Sequence, residues 1–186
     1  MVAAPAEVIR PLRRVEYDQL VALGVFQDER IELLDGALYE MSPIGIPHDF
    51  AVQELNEQLV LALHGRAKVR PQMSFAASEL SEPEPDLMVT PLIRWDTEQA
   101  NQAYLIIEVA ESSLAIDRGR KRRLYASCGV PEYWIVNLPE RCIEVYTVPE
   151  GNAYARVEKY GPGEAIRLGA FTDAEVRVSD VLISPG

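Results

Sequence analysis

Apolar runs of strand length and apolar stripes at helical spacing alternate through the centre of the chain. Ala103–Val109 is a short, β-branched apolar run, which predicts a strand covered on both faces. A helix is predicted to begin near Ser113 or Asp117, both favourable N-cap residues, and to end at Gly129. Glu132–Asn137 then predicts another strand. The centre of the chain is therefore predicted to fold as strand, helix, strand.

The N-terminal half repeats these two kinds of pattern. Apolar residues at helical spacing predict helices at Arg14–Phe26 and His48–His64. Between them, Asp35-Gly36 separates two apolar runs in Arg30–Met41, which predicts a β-hairpin because glycine readily adopts the positive φ of a type I′ turn. The other predicted segments are a loop at Ser42–Pro47, a strand at Lys68–Ala77, an acidic turn at Glu79–Pro85 and a strand at Asp86–Thr90.

The C-terminal part is divided by Gly and Pro turns into short segments, which predicts an antiparallel extension of the sheet. These strands are Arg141–Val148, Ala153–Tyr160 and Ala165–Leu168. The whole order predicts an α/β protein whose core, about residues 48–137, runs helix, three strands, helix, strand. With 186 residues we expect a single domain, residues 1–186, whose first 12 residues form a loose lead-in.

Composition and charge narrow the class of protein. A net charge of −11 weighs against indiscriminate nucleic-acid binding but leaves room for a local basic groove. No apolar run approaches the roughly 20 residues that span a bilayer, and the N-terminus lacks the apolar core of a signal peptide. Cys128 and Cys142 have neither metal-ligand spacing nor a disulfide-rich pattern. We therefore expect a cytoplasmic protein with reduced thiols and no membrane association.

One lysine stands out on the central helix. Residues 118–123 hold five basic side chains in six positions, and a helical wheel directs Arg120, Arg122 and Arg123 to solvent, with Arg118 at the edge. Lys121 instead lies at the centre of the apolar stripe. Two interpretations remain open: its ammonium pairs with a carboxylate near the sheet, for which Glu108 is the natural candidate, or it extends past the stripe to water.

Three charged residues are predicted to converge. Asp86 opens one strand, Glu108 lies near the end of the next strand, and Lys121 lies on the helix that follows. Two neighbouring carboxylates repel each other unless a divalent cation binds both, and Mg²⁺ or Mn²⁺ suits such oxygen ligands. The Val109 carbonyl would add a ligand. Lys121 would then position or deprotonate an attacking water.

Two further residues have alternative interpretations. Glu32 lies on the predicted hairpin, where it either faces solvent or contributes to the site. His48 aligns with the apolar stripe at the start of its helix, where it either caps or packs the helix or faces the entrance to the interior.

Short segments along the chain match the motifs of a known family. They are Ile31-Glu-Leu-Leu-Asp-Gly36, Met41-Ser-Pro43, His48, Pro85-Asp-Leu87, Ile107-Glu-Val109, Asp117-Arg-Gly-Arg-Lys121, Tyr125-Ala126 and Gly129-Val-Pro-Glu-Tyr-Trp-Ile-Val136. Together they resemble the PD-(D/E)XK nuclease superfamily, and most closely its Uma two branch of restriction-endonuclease-like proteins. The resemblance implies a restriction-endonuclease-like core with a mixed sheet, Mg²⁺-dependent hydrolysis of DNA phosphodiester bonds, and a homodimer. It also implies that Glu32 and His48 support the site.

The chain departs from the superfamily pattern at one position. Ala110 stands two residues after Glu108, where the superfamily normally has its lysine. The resemblance to the Uma two branch implies that Lys121 serves from the helix instead, and the wheel independently directs Lys121 inward.

An alternative function belongs to another class. The carboxylates and the lysine would form a structural ion-pair cluster in a nuclease-fold protein that acts as a binding or regulatory module. The acidity of the chain and the lack of an evident DNA-reading domain favour this alternative. The sequence has no nucleophile-elbow motif, which disfavours a serine or cysteine hydrolase.

Overall fold

The computed structural model describes residues 9–41, 44–94, 96 and 99–183. Most of the predicted lead-in, residues 1–8, and Ser42 and Pro43 of the predicted loop lie outside the described residues. The elements, in chain order, are α1 (Arg14–Ala22), β1 (Ile31–Leu34), β2 (Ala37–Glu40), α2 (Ile46–Ala62), β3 (Lys68–Pro71), β4 (Leu87–Thr90), β5 (Leu105–Ala110), α3 (Leu114–Ile116), a π-helical turn (Asp117–Lys121), α4 (Arg122–Ser127), β6 (Glu132–Asn137), β7 (Cys142–Glu150), β8 (Ala153–Tyr160), β9 (Ala165–Leu168), β10 (Phe171–Arg177) and α5 (Val178–Val181).

A six-stranded mixed sheet organises the fold. Its strands run in the order β3-β4-β5-β6-β7-β8, and β5 and β6 are parallel while the other neighbouring pairs are antiparallel. The predicted order of helix, three strands, helix, strand is confirmed by α2 through β6. The predicted α/β class with a mixed sheet and an antiparallel C-terminal extension is thus also confirmed.

The two central strands are covered on both faces, as the apolar run predicted. Every residue of β5 and of β6 is buried. On one face, Leu55 and Leu59 of α2 pack with Ile107 and Trp134. On the other face, the segment from α3 to α4 covers the sheet, and its Tyr125 packs in the core there. Parallel strands are joined by a crossover connection, here the helical segment that packs on one face of the sheet. Such strands are typically buried on both faces.

The predicted hairpin is confirmed as a separate two-stranded sheet formed by β1 and β2. Asp35 and Gly36 both have positive φ, 51° and 78°, as a type I′ turn requires. Leu33 of β1 exchanges backbone hydrogen bonds with Glu82, which attaches the hairpin to the loop before β4. This attachment brings one face of β1 towards the end of the main sheet.

Several predicted boundaries are wrong for local backbone reasons. The strand predicted at Lys68–Ala77 ends at Pro71, because Gln72 has a φ of 46° that turns the chain. The helix predicted at Arg14–Phe26 ends at Ala22, since Gly24 adopts a φ of 75°. The helix predicted from His48 begins two residues earlier, at Ile46, where Gly45 is the N-cap and Pro47 occupies the first turn.

The central helix also differs from its prediction. It is not one continuous α-helix, because the π-helical turn separates α3 from α4. Its cations are not all solvated: Arg120 pairs with Asp35, and the Arg122 guanidinium lies over the Tyr146 ring. No helix in the described part of the chain has the length and apolar character that crossing a membrane requires.

Replacing Gly36 by Ala should destabilise the protein more than the same replacement at Gly65. Both glycines have positive φ, 78° and 72°. A Cβ on Gly36 would lie 2.3 Å from Pro11 Cβ, whereas a Cβ on Gly65 meets nothing within 4 Å. We expect losses of unfolding free energy of about 2 to 4 kcal/mol for Gly36→Ala and about 1 kcal/mol for Gly65→Ala in urea titrations. Equal losses would contradict the close packing of the hairpin turn.

Candidate active site

A cavity of about 300 Å³ lies where β5 ends. It is bounded by the β1–β2 hairpin, the first turn of α2, the residue before β4, the end of β5 and the segment from α3 through the π-helical turn. All the residues predicted for the site line this cavity, namely Glu32, His48, Asp86, Glu108, Val109 and Lys121.

Asp86 is held at the cavity by two hydrogen-bond donors. The strand register pairs Leu87 with Ile107, which sets Asp86 across from Glu108. One Asp86 carboxylate oxygen, Oδ2, accepts a 2.8 Å hydrogen bond from the Val109 backbone N–H. The other, Oδ1, lies 3.1 Å from His48 Nε2. These contacts fix the carboxylate and bring the Val109 backbone to its side.

His48 faces the cavity rather than capping its helix. Burial lowers the pKa of His48, but its hydrogen bond to Asp86 and the negative charge there outweigh that effect and raise the pKa above its ordinary value. His48 is therefore more readily protonated than a free histidine. A protonated His48 donates Nε2–H to Asp86 Oδ1.

Lys121 is buried and paired, which decides between the two interpretations of its helix position. It is only 4% exposed. Its Nζ lies 3.1 Å from Glu32 Oε2 and 3.2 Å from Glu108 Oε1. Burial lowers the pKa of Lys121, but the carboxylates of Glu108 and Glu32 outweigh burial and raise it above its ordinary value. The ammonium therefore stays charged in a dry environment.

Glu108 has two partners, only one of which the sequence suggested. Its Oε1 accepts a 2.6 Å hydrogen bond from the Tyr125 hydroxyl as well as the contact with Lys121. Burial raises the pKa of the Glu108 carboxyl well above its ordinary value, and the Lys121 charge offsets part of that rise. Glu108 thus ionises only with help from a neighbouring positive charge.

Glu32 belongs to the cavity and does not face solvent. It is 4% exposed, and its Oε2 accepts a 3.3 Å hydrogen bond from the Glu84 backbone N–H in addition to contacting Lys121. The hairpin therefore contributes a carboxylate to a site otherwise built on the main sheet and its helices.

Sequence reasoning missed two buried polar residues at the site, Asp117 and Tyr125. Asp117 is 1% exposed and lines the cavity; its Oδ2 accepts a 2.6 Å hydrogen bond from the Ser113 hydroxyl. Burial raises the pKa of Asp117 to about 6, while Lys121 and Ser113 oppose the rise. Both lie four residues from Lys121 on the same stripe, and this spacing was the available signal.

The donor atoms at the cavity fit a hard divalent cation. Asp86 and Glu108 supply carboxylate oxygens, and Mg²⁺ is commonly held by one or two carboxylates together with several waters. Burial raises the pKa of the Glu108 carboxyl, and a cation bound beside it would favour the ionised form.

A second acidic cluster fits such a cation less well. Among the described residues, Glu140, Cys142 and Glu144 place three potential ligand atoms within 4.8 Å of one another. However, Arg118 and Lys159 already pair with both of these carboxylates. A thiol is also a poor ligand for Mg²⁺. This cluster is an ion-pair network that joins the turn before β7, β7 and β8 to the π-helical turn.

The fold resembles that of a solved structure. A crystal structure described as "a putative nuclease belonging to DUF820 from Anabaena variabilis" superimposes with a TM-score of 0.69 at 16% sequence identity. The match covers 92% of this chain and 97% of that chain. At this identity the likeness establishes the fold alone. No curated protein matches the chain.

The family model agrees with the resemblance found in the sequence. The Uma2 (Uma two) model, described as "Putative restriction endonuclease", matches residues 14–179. This range contains both strands of the hairpin, the whole main sheet and every residue of the candidate site. The chain therefore belongs to the Uma2 family of restriction-endonuclease-like proteins.

Proposed function

We propose that this protein is a metal-dependent endonuclease that hydrolyses DNA phosphodiester bonds in the cavity at the end of β5. The observation that carries the proposal is the buried Lys121, whose ammonium contacts Glu108 and Glu32 in the same cavity as Asp86. Two neighbouring carboxylates can hold a divalent cation, and a charged lysine beside them can stabilise negative charge that develops on a phosphoryl group. Membership of a family described as restriction endonucleases supports the same chemistry.

Asp86 and Glu108 would hold the metal, Mg²⁺ or Mn²⁺, with the Val109 carbonyl as an additional oxygen ligand. When bound, the ion supplies Lewis-acid stabilisation of negative charge on the phosphoryl group and a lower pKa for coordinated water. His48 orients the Asp86 carboxylate through their 3.1 Å contact, and the Tyr125 hydroxyl orients Glu108 through a 2.6 Å hydrogen bond. Both are positioning residues.

Lys121 would position the attacking water and stabilise charge that builds on the phosphate oxygens. Its raised pKa keeps the ammonium protonated at neutral pH, which favours positioning the attacking water over deprotonating it. Glu32 keeps Lys121 in place from the hairpin, because it pairs with the ammonium at 3.1 Å. This second carboxylate holds the lysine when Glu108 contacts a metal.

The alternative function, a binding or regulatory module, is favoured by one feature. Lys121 already pairs with two carboxylates, and a buried ion-pair cluster of this kind can have a purely structural role. The net charge of −11 also disfavours binding of a polyanionic substrate to the protein surface outside the cavity. An inert cluster would bind no divalent cation and would tolerate conservative replacement of Asp86.

The homodimer and the cytoplasmic location stay predictions. Within the described residues β8 pairs with β7 alone, so one edge of the six-stranded sheet offers backbone groups to a second copy. Cys128 and Cys142 are free cysteines in the structure.

Replacing Glu108 by Gln should reduce cleavage of plasmid and single-stranded circular DNA in Mg²⁺ by about 100-fold or more, because a metal ligand and its charge are lost. The matched control is Glu140→Gln, which removes the same charge from an exposed carboxylate outside the cavity. The control should retain wild-type cleavage, and circular dichroism checks the fold of both variants. Equal cleavage by Glu108→Gln and the control would remove Glu108 from the mechanism.

Replacing Lys121 by Met should lower the unfolding free energy at pH 7 by about 3 to 5 kcal/mol, because two buried carboxylates lose their counterion. The loss should shrink as the pH falls, since the raised pKa of Glu108 lets protonation remove its buried charge. The double variant Lys121→Met/Glu32→Gln should recover part of the stability in urea titrations.

DNA cleavage by these lysine variants distinguishes the nuclease function from a purely structural ion-pair cluster. We expect the double variant to remain inactive, because Lys121 takes part in the chemistry. Recovery of both stability and cleavage in the double variant would make the lysine a structural counterion only.

A further inference from the structure

A second cavity, of about 390 Å³, lies beside the first at the same edge of the sheet. It opens where the parallel strands β5 and β6 end, which is where ligands commonly bind in α/β sheets. Its walls are mostly apolar. The apolar residues that line it are Pro47, Leu138, Pro139, Leu182 and Ile183.

The two cavities share a wall. Glu111, the residue after β5, lines both of them. Pro47 of the second cavity precedes His48 of the first in the same helical turn. Leu138 N–H donates a 3.1 Å hydrogen bond to the Ala110 carbonyl, which fixes the chain after β6 against the end of β5. The two cavities are therefore neighbours at this edge of the sheet.

The charges of the two cavities differ. Two permanent cations, Arg30 and Lys121, line the first, together with six carboxylates. One carboxylate and one guanidinium, Glu111 and Arg141, line the second, and the rest of its described lining is apolar. Arg141 is held by a 2.7 Å hydrogen bond from its Nη1 to the Ile183 carbonyl. The second cavity thus suits an uncharged, largely apolar group better than a phosphate.

We propose that this second cavity is a nucleobase subsite, which takes an unpaired base next to the phosphate that is cleaved. The inference rests on the proposed nuclease function. The apolar walls would contact the faces of the base, and Glu111 would accept a hydrogen bond from an exocyclic amino group. A base in a duplex must leave its stack to enter, at an energetic cost, so the preferred substrate is single-stranded or frayed DNA.

The test fills the cavity and leaves the catalytic residues unchanged. Ile183 is 39% exposed, so Ile183→Trp adds bulk at the cavity without burying it in the core. The matched control is Val157→Trp, a replacement on β8 at a residue that is 55% exposed and lines neither cavity. Melting temperatures check that both variants fold.

The first measurement is the affinity for a single-stranded oligonucleotide that carries 2-aminopurine, in Ca²⁺. We expect Ile183→Trp to weaken binding about tenfold or more while the control binds like wild type. The second measurement is cleavage: Ile183→Trp should raise KM for single strands and leave kcat for methyl p-nitrophenyl phosphate unchanged.

The possible outcomes test the proposed base subsite and the proposed nuclease function independently. Equal affinities of Ile183→Trp and the control, no binding of the single strand by wild type, or equal affinity for single strand and duplex would overturn the subsite. If wild type binds the single strand, Ile183→Trp loses that binding, and no protein cleaves any substrate, the subsite stands and the proposed nuclease function fails.

Discussion

The contact on which the site depends is the burial of Lys121 between Glu108 and Glu32. An unpaired ammonium in this position would carry a large desolvation cost, which the two neighbouring carboxylates offset. The three residues come from β5, the π-helical turn and the hairpin. The ion-pair group therefore joins the separate hairpin to the main sheet, and the geometry of the cavity follows from it.

This dependence also predicts that the stability of the protein and its proposed chemistry are coupled. Burial disfavours the charged form of Glu108 and of Lys121, and the opposite charge of each favours the charged form of the other. Tyr125 and His48 add hydrogen bonds to Glu108 and Asp86 from the two layers that cover the sheet. A site of this kind stays ordered because each acidic group has a donor on a different element.

The elements that the sequence predicted well are those set by local pattern. Two turn residues with positive φ, Asp35 and Gly36, specify the hairpin. The apolar run before Glu108 specifies the central strand. Helical spacing places Lys121 on the apolar stripe and makes Glu108 a candidate partner, but it leaves extension to water open until the contact with Glu108 is seen. These inferences needed no knowledge of distant contacts.

The parts that escaped prediction depend on contacts distant in sequence or on single backbone torsions. Nothing in the local sequence shows that Gln72 takes positive φ and ends β3, or that the helix contains a π-helical turn. The strand β10 was missed because polar residues interrupt its apolar alternation. Arg120 was assigned to solvent because its partner, Asp35, lies 85 residues away. In the sequence, Asp117 and Tyr125 resemble ordinary residues on the inward side of the central helix.

The measurement that tests the central claim most directly is an anomalous difference map from a crystal soaked in Mn²⁺. We predict a peak in the cavity at the end of β5, coordinated by Asp86 and Glu108. The ion-pair network of Glu140 and Glu144 should show none, because Arg118 and Lys159 already occupy its carboxylates. A peak at that network alone, or no peak in the cavity at saturating Mn²⁺, would contradict the proposed metal site.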